Sequence, residues 1–339
     1  EAGDAASSAR LYLRAALLSP EDVQAWQEAD AQASVAGDAA LRLEVDAALE
    51  ERALEVGDRD ARLLRLAESS FAAADVVGVG LYAGRSLERS PGAAESWRLL
   101  ELADFVDDAA LVRAALDRVL GLEETEPSAR LSSLLRRSAL LAADEPAAAA
   151  ADLRAALELG HSDVSDEDRY VELLLAAGAE EEACSALAWL AERSEVSARR
   201  AELLTRWRAL GVAAPGVEER RLLELWRGAD AEAYEPRWSL AQQHLDAGER
   251  GPAQELLEEL SALTLEGDRQ QEVDRLLGEV SYAEGSSALA SAALRRVVER
   301  DPEDLEARAL LVDALEASGA PAEAAQLLEE AGGEALVFG

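Results

Sequence analysis

Few residues in this sequence have types and spacings that could do chemistry. The stretch "VVGVGLYAG" (76–84) carries Gly78-x-Gly80-x-x-Ala83, the spacing of a dinucleotide fingerprint. That fingerprint needs a preceding strand, and glycines that let backbone close on a pyrophosphate at a helix N-terminus. Here the preceding "RLLRLAESSFAAAD" has helical periodicity, so the expectation is a helix whose small residues allow close packing. His161 and His244 fall in a turn and a helix, with no HExxH or Cys/His grouping, so neither a metal nor a cofactor is expected. The acidic stretches "GLEETEP" (121–127) and "SDVSDED" (162–168) lack the central Gly and closing Glu of a calcium loop and read as solvated turns. Cys184, the single cysteine, sits in apolar "EEACSALAWL" and reads as a small core residue. No Ser or Cys has a neighbouring His to activate it, and no catalytic residue is assigned. The chain reads as non-enzymatic.

Composition narrows the class further. The 339 residues are 49% hydrophobic but only 4% aromatic, and Ala, Leu, Glu and Arg dominate, which favours helix over strand. Lys, Asn, Ile and Met do not occur, as expected of a very GC-rich genome. The net charge of −36 repels phosphate, which argues against nucleic acid and anionic membrane as partners. No run approaches the apolar length needed to span a bilayer. The chain starts at Glu1 rather than Met, as a processed form or a fragment would, and cytoplasmic and exported locations both stay open.

The elements that must position any site are helical repeats. Residues 271–304 and 305–338 are each 34 long and align without a gap. The alignment puts Leu277-Gly278 on Leu311-Val312, Gly285 on Gly319, Ala290 on Ala324 and Leu294 on Leu328. Each reads as a helix, a Gly-centred turn and a second helix, and Pro302 stops the first of the two repeats. "SPEDVQAW" (19–26) and "SPGAAESW" (90–97) mark the same junction elsewhere: a Pro ends one helix pair and a Trp seeds the core of the next. Extending this register predicts nine pairs near 23–57, 60–91, 94–127, 129–161, 164–196, 198–230, 234–268, 271–304 and 305–338. The pair near 198–230 is the least regular. Residues 1–19 read as a lone second helix, and without an intervening linker the whole of 1–339 is expected to be one domain.

Leu277-Gly278, Ala290, Leu294 and Pro302 occupy landmark places of the tetratricopeptide repeat family, which this sequence resembles across nearly its whole length. Asp274 and Arg308 stand where that family has Trp. The resemblance implies an all-α fold, a right-handed α-solenoid whose first helices line a concave groove, and a polypeptide partner held there. Carried over by register, the groove residues are Arg98, Leu102 and Phe105, then Asp168 and Glu172. They continue as Trp238 and Gln242, then Arg275, Glu279 and Tyr282, and finally Asp313. Trp26 and Trp97 are expected in the core. The family's carboxylate clamp uses Lys and Asn, both absent here, so an acidic groove would prefer a basic or mixed apolar peptide.

The function expected is therefore a scaffold or adaptor that binds a protein or peptide. A structural subunit of a larger assembly is the alternative, because the array opens on a half-repeat and closes on apolar "ALVFG". The regulatory part of an enzyme encoded elsewhere is the other.

Overall fold

The computed structural model describes residues 2–89, 91–123, 125–212 and 218–337, with side chains between 4 and 329 of those ranges. Every regular element in them is a helix. Contacts divide the chain into two units, Glu1–Ala179 and Glu180–Gly339. Unit 1 opens on a lone helix, α1 (Ala2–Leu18), followed by the pairs α2 (Val23–Ala36) with α3 (Ala39–Glu51), and α4 (Arg59–Ala72) with α5 (Val76–Glu88). It continues through α6 (Ala93–Val106) with α7 (Ala109–Leu120), α8 (Pro127–Leu141) with α9 (Pro146–Glu158), and ends on α10 (Val164–Ala176). Unit 2 opens on α11 (Glu180–Arg193), then pairs α12 (Ser197–Leu210) with α13 (Glu219–Ala229), and α14 (Tyr234–Asp246) with α15 (Arg250–Ser261). Its last pairs are α16 (Gly267–Ala283) with α17 (Ser287–Arg300), and α18 (Leu305–Ala317) with α19 (Pro321–Val337). Within each unit every helix packs on the next, so the core is a continuous seam of Leu, Ala and Val.

Local chemistry explains the pairs. Asp22, Asp38, Asp58, Asp75, Asp108, Asp163 and Asp304 each accept a backbone N–H at a helix start, satisfying donors that have no partner inside the helix. The turn glycines of "VAGD", "AAGA", "DAGE" and "ASGA" all have positive φ, between 69° and 84°, which L side chains rarely adopt. Helix-interior Gly278 has a different use: a Cβ there would lie 2.5 Å from Leu294 Cγ, so the glycine lets α17 seat its leucine against α16. At the Ala-rich start of α9, Ser138 of α8 donates to the Ala149 carbonyl at 2.9 Å.

A recurrent side-chain bond ties most pairs to the helix before. In eight of the nine first helices among the described residues, the fourth residue donates to a carbonyl at the end of the preceding helix or in its connecting turn. Trp26 Nε1 donates to Pro20 at 3.2 Å, Arg62 to Val56 and Leu54 at 2.8 and 2.7 Å, and Ser96 to Pro91 at 3.3 Å. Arg130 reaches Leu120, Arg200 reaches Ser194, and Arg237 reaches Asp230 and Ala233. Gln270 reaches Ser261, and Arg308 reaches Pro302. Carbonyls at helix ends need such donors, and a cation there also meets the negative end of the helix dipole. An arginine can therefore replace the tryptophan of this place because both donate an N–H from a partly apolar body.

One expectation changes in detail. Trp26 is wholly buried as expected, but Trp97 is half-buried, because Ser96 takes the inward position on α6. The apolar "ALVFG" end and part of the 198–230 pair fall outside the residues whose side chains are described.

Candidate functional site

In unit 1, α4 and α6 lie side by side and present their faces together. Glu68 and Phe71 share a face of α4, and Arg98, Glu101 and Phe105 share a face of α6. Phe71 precedes Phe105 by one 34-residue repeat, so the register brings them opposite each other. Their rings meet edge to face, with centroids 4.8 Å apart and planes at 76°. Both stay exposed, at 40% and 37%. They are the only phenylalanines among the described residues, so neither serves the core.

Arg98 frames this pair. Its guanidinium lies 5.9 Å over the Phe71 ring, Nε donates to Glu68 at 2.9 Å, and Nη1 donates to Glu101 at 2.5 Å. The hydrogen bonds to Glu101 and Glu68 raise its pKa above the ordinary arginine value. One first helix further, Arg136 of α8 pairs with Asp104 through both its terminal nitrogens. Of the three register candidates on α6, Arg98 is half-buried and Phe105 exposed, whereas Leu102 does not reach the surface. That side chain has no exposure, because it sits at the edge of the face that turns into the seam between helices. Glu101 takes the exposed place instead. Phe71 and Glu68 were not anticipated, although the 34-residue spacing of the two phenylalanines was a usable signal.

The remaining groove candidates separate into three places. On α10, Asp168 is half-buried and Glu172 exposed. On α14, Trp238 is half-buried and stacks on Tyr234 with centroids 5.7 Å apart, while Gln242 is exposed. Arg269 of α16 lies 4.9 Å over the Tyr234 ring. Burial pushes the Tyr234 hydroxyl up to about 12, with the charge of Glu272 adding to the effect. On α16 and α18, Arg275, Glu279 and Asp313 come together around a hollow of about 370 Å³. Tyr282 is half-buried against the core that contains Leu294 and Leu311.

Beneath the first helices of unit 1 lies a charged network that periodicity could not reveal. Asp46 and Glu50 of α3 are almost without exposure. Arg65 and Arg42 grip Asp46 at 2.9 and 3.1 Å, while Arg59 and Arg85 grip Glu50 at 2.9 and 3.0 Å. Burial alone would raise the Glu50 pKa, but the bonds from Arg59 and Arg85 outweigh it and hold the carboxyl below its usual value. These groups satisfy one another and serve as structure.

The residues first considered for chemistry have structural settings. Gly78, Gly80 and Gly84 lie within α5, which follows a helix and not a strand, and a Cβ added at Gly80 or Gly84 would meet Val106 or Leu111 only at ordinary contact distance. His161 contacts Asp166 at 2.7 Å, and His244 contacts Glu249 at 2.6 Å. Cys184 is fully buried with its thiol 3.2 Å from the Val212 carbonyl, and burial pushes its pKa up. Among the described residues no group of His, Cys, Asp and Glu is arranged to hold a metal, and no helix is long and apolar enough to cross a membrane.

No family model and no curated protein matches the sequence. Among solved structures, the chain is similar to MamA at 17% identity, covering 52% of this chain and 98% of that one, with a TM-score of 0.30. It is similar to a tetratricopeptide repeat protein from Parabacteroides merdae at 12% identity, covering 86% and 98%, with a TM-score of 0.27. It is also similar to the C-terminal part of a repeat protein of the same kind from Cytophaga hutchinsonii, at 13% identity, covering 80% and 94%, with a TM-score of 0.26. Overlays this loose carry no argument about the present chain. Its own helix order, 34-residue period, turn glycines and Leu-Gly landmark make it an all-α array of tetratricopeptide-like helix pairs.

Proposed function

We propose that this protein is an interaction scaffold that binds a polypeptide on the faces of its first helices. The observation that carries this reading is the exposed Phe71–Phe105 pair beneath Arg98. A stable fold has no use for two phenylalanines held in water while leucine and alanine fill the core. Aromatic and arginine side chains in one patch are, by contrast, the residues that dominate binding energy at protein interfaces. The partner expected is a segment with apolar side chains for the phenylalanines and positive charge to meet a surface of net charge −36.

Site-specific photocrosslinking in the native host tests the reading. A benzoylphenylalanine in place of Phe105 should give a discrete polypeptide adduct that an excess of unmodified protein competes away. The same probe in place of Val77, which is 80% exposed on the second helix α5, should not. Identical adducts from both positions, or none from Phe105, would overturn the assignment.

A further inference from the structure

We infer that unit 2 carries a separate socket for a cationic side chain, specifically an arginine presented by a partner polypeptide. This rests on the scaffold reading above and adds a chemical class to one of its contact points. The socket is the hollow between α16 and α18. Its floor is aliphatic, made by the buried Leu294 and Ala307 and the half-buried Leu310, and its rim carries the exposed Ala309, Glu279, Glu306 and Asp313.

One arginine of the protein already enters this site, yet it does not neutralise it. Arg275 donates to Asp304 at 2.9 Å, to Glu306 at 2.7 Å and to Glu279 at 3.3 Å. Four carboxylates thus face a single guanidinium, and among the described residues Asp313 forms no ion pair. Asp304 is committed to structure as well, since it caps α18 by accepting from Ala307 at 3.0 Å. The charge left over lies on the rim, at Glu279 and Asp313, both of them exposed.

Shape selects the occupant further. A hollow of about 370 Å³ has room for one long side chain. An aliphatic floor below an acidic rim matches a side chain with a methylene stem and a charged head. Arginine fits better than lysine, because a planar guanidinium can bond two carboxylates at once and sheds its weaker hydration more readily. Phosphate and carboxylate ligands meet the wrong sign of charge.

The test uses the full chain and a defined probe. The probe is an acetylated heptapeptide with one central arginine among alanines, beside counterparts carrying lysine, citrulline or glutamate there. Saturation-transfer NMR should show contact at the arginine side-chain methylenes. Citrulline, which keeps the shape and loses the charge, should bind about fivefold more weakly, and glutamate should not bind. Asp313→Asn should weaken the arginine peptide about fivefold, and Asp313→Arg should abolish its contact without changing the helical circular dichroism. Equal binding of arginine and citrulline, no binding of arginine, or indifference to Asp313→Arg would each overturn the inference. The scaffold reading fails independently: loss of the Phe105 adduct concerns unit 1, and a retained adduct with no arginine binding leaves the scaffold standing and removes the socket.

Discussion

Three register positions recur in the two units with opposite outcomes. Arg98, Leu102 and Phe105 on α6 have the same spacing as Arg275, Glu279 and Tyr282 on α16. In unit 1 the arginine lies over an aromatic ring, the middle position is fully buried, and the aromatic residue is exposed. In unit 2 three carboxylates share the arginine, the middle position is an exposed glutamate, and the tyrosine is half-buried against the core. A repeat register therefore specifies where a residue stands on its helix. What that place does depends on the neighbouring first helix, which supplies Phe71 to α6 but Asp304 and Glu306 to α16.

The largest effect that would test this contrast comes from the middle position. Leu102→Ala should cost about 2–5 kcal/mol, since it opens a cavity in a packed seam. Glu279→Ala at the same register should change stability by less than about 0.5 kcal/mol, because the side chain is exposed. Urea denaturation of both variants measures the difference directly. Similar costs would mean that the two helices present the same face and that the contrast is false.

Next in size is the aromatic pair. Phe71→Ala and Phe105→Ala together should reduce capture of the unit 1 partner at least tenfold, as expected for a central anchor at an interface. In the free protein, a double-mutant cycle should give a coupling of about 0.5–1.5 kcal/mol between the rings. Tyr282→Ala should leave capture at the Phe105 position unchanged and lower stability instead, because its ring packs on the core.

A third test compares carboxylates held by arginines in the two units. The pKa of Glu50 is lowered in spite of burial by bonds from Arg59 and Arg85, and that of Glu259 is lowered in spite of burial by bonds from Arg227 and Arg237. A carboxyl with a depressed folded pKa contributes stability above its unfolded value, here near 4.5, and loses it as pH falls through the folded value. Stability of the wild type should therefore decline below about pH 5. Glu50→Gln should flatten that decline more than Glu259→Gln, since the Glu50 side chain is 2% exposed and that of Glu259 is 38% exposed. Denaturation midpoints at pH 7 and pH 4 for each variant decide it.

Much of this architecture was legible. The 34-residue period, the turn glycines and the Pro–Trp junctions locate helix pairs because each reflects a local backbone requirement. Register alone put Arg98 and Phe105 on one face of α6, where they stand about two turns apart. The burial of Leu102 did not follow, because a small rotation of α6 about its axis decides which edge of a face turns inward. The buried Asp46, Glu50 and Arg62 escaped for a different reason. In a chain with 69 acidic residues, nothing in the order of residues distinguishes a solvated carboxylate from one gripped by two arginines. The donor at the fourth position of most first helices was half visible, since Trp26 and Arg308 marked the place while Ser96 and Gln270 carry no such signal.

The smallest effect separates the two arginines. Arg98→Gln removes two exposed ion pairs and a cation over a ring. Exposed pairs contribute about 0.2–1 kcal/mol each before screening, and the ring contact about 0.5–1 kcal/mol. Glutamine retains part of the hydrogen bonding, so the net loss should stay below about 1 kcal/mol and shrink further in high salt. Arg275→Gln should lose slightly more, because Asp304 then caps α18 without its counter-charge beside an already acidic rim. Both losses should shrink as salt rises, that of Arg275→Gln more steeply, because repulsion between the carboxylates left behind is screened along with the pairs removed. For Arg98→Gln the pairs removed are themselves screened, so that variant and the wild type should converge. Thermal melts of both variants at 50 mM and 1 M sodium chloride resolve this, and the same salt response from both would show that the two arginines sit in equivalent fields.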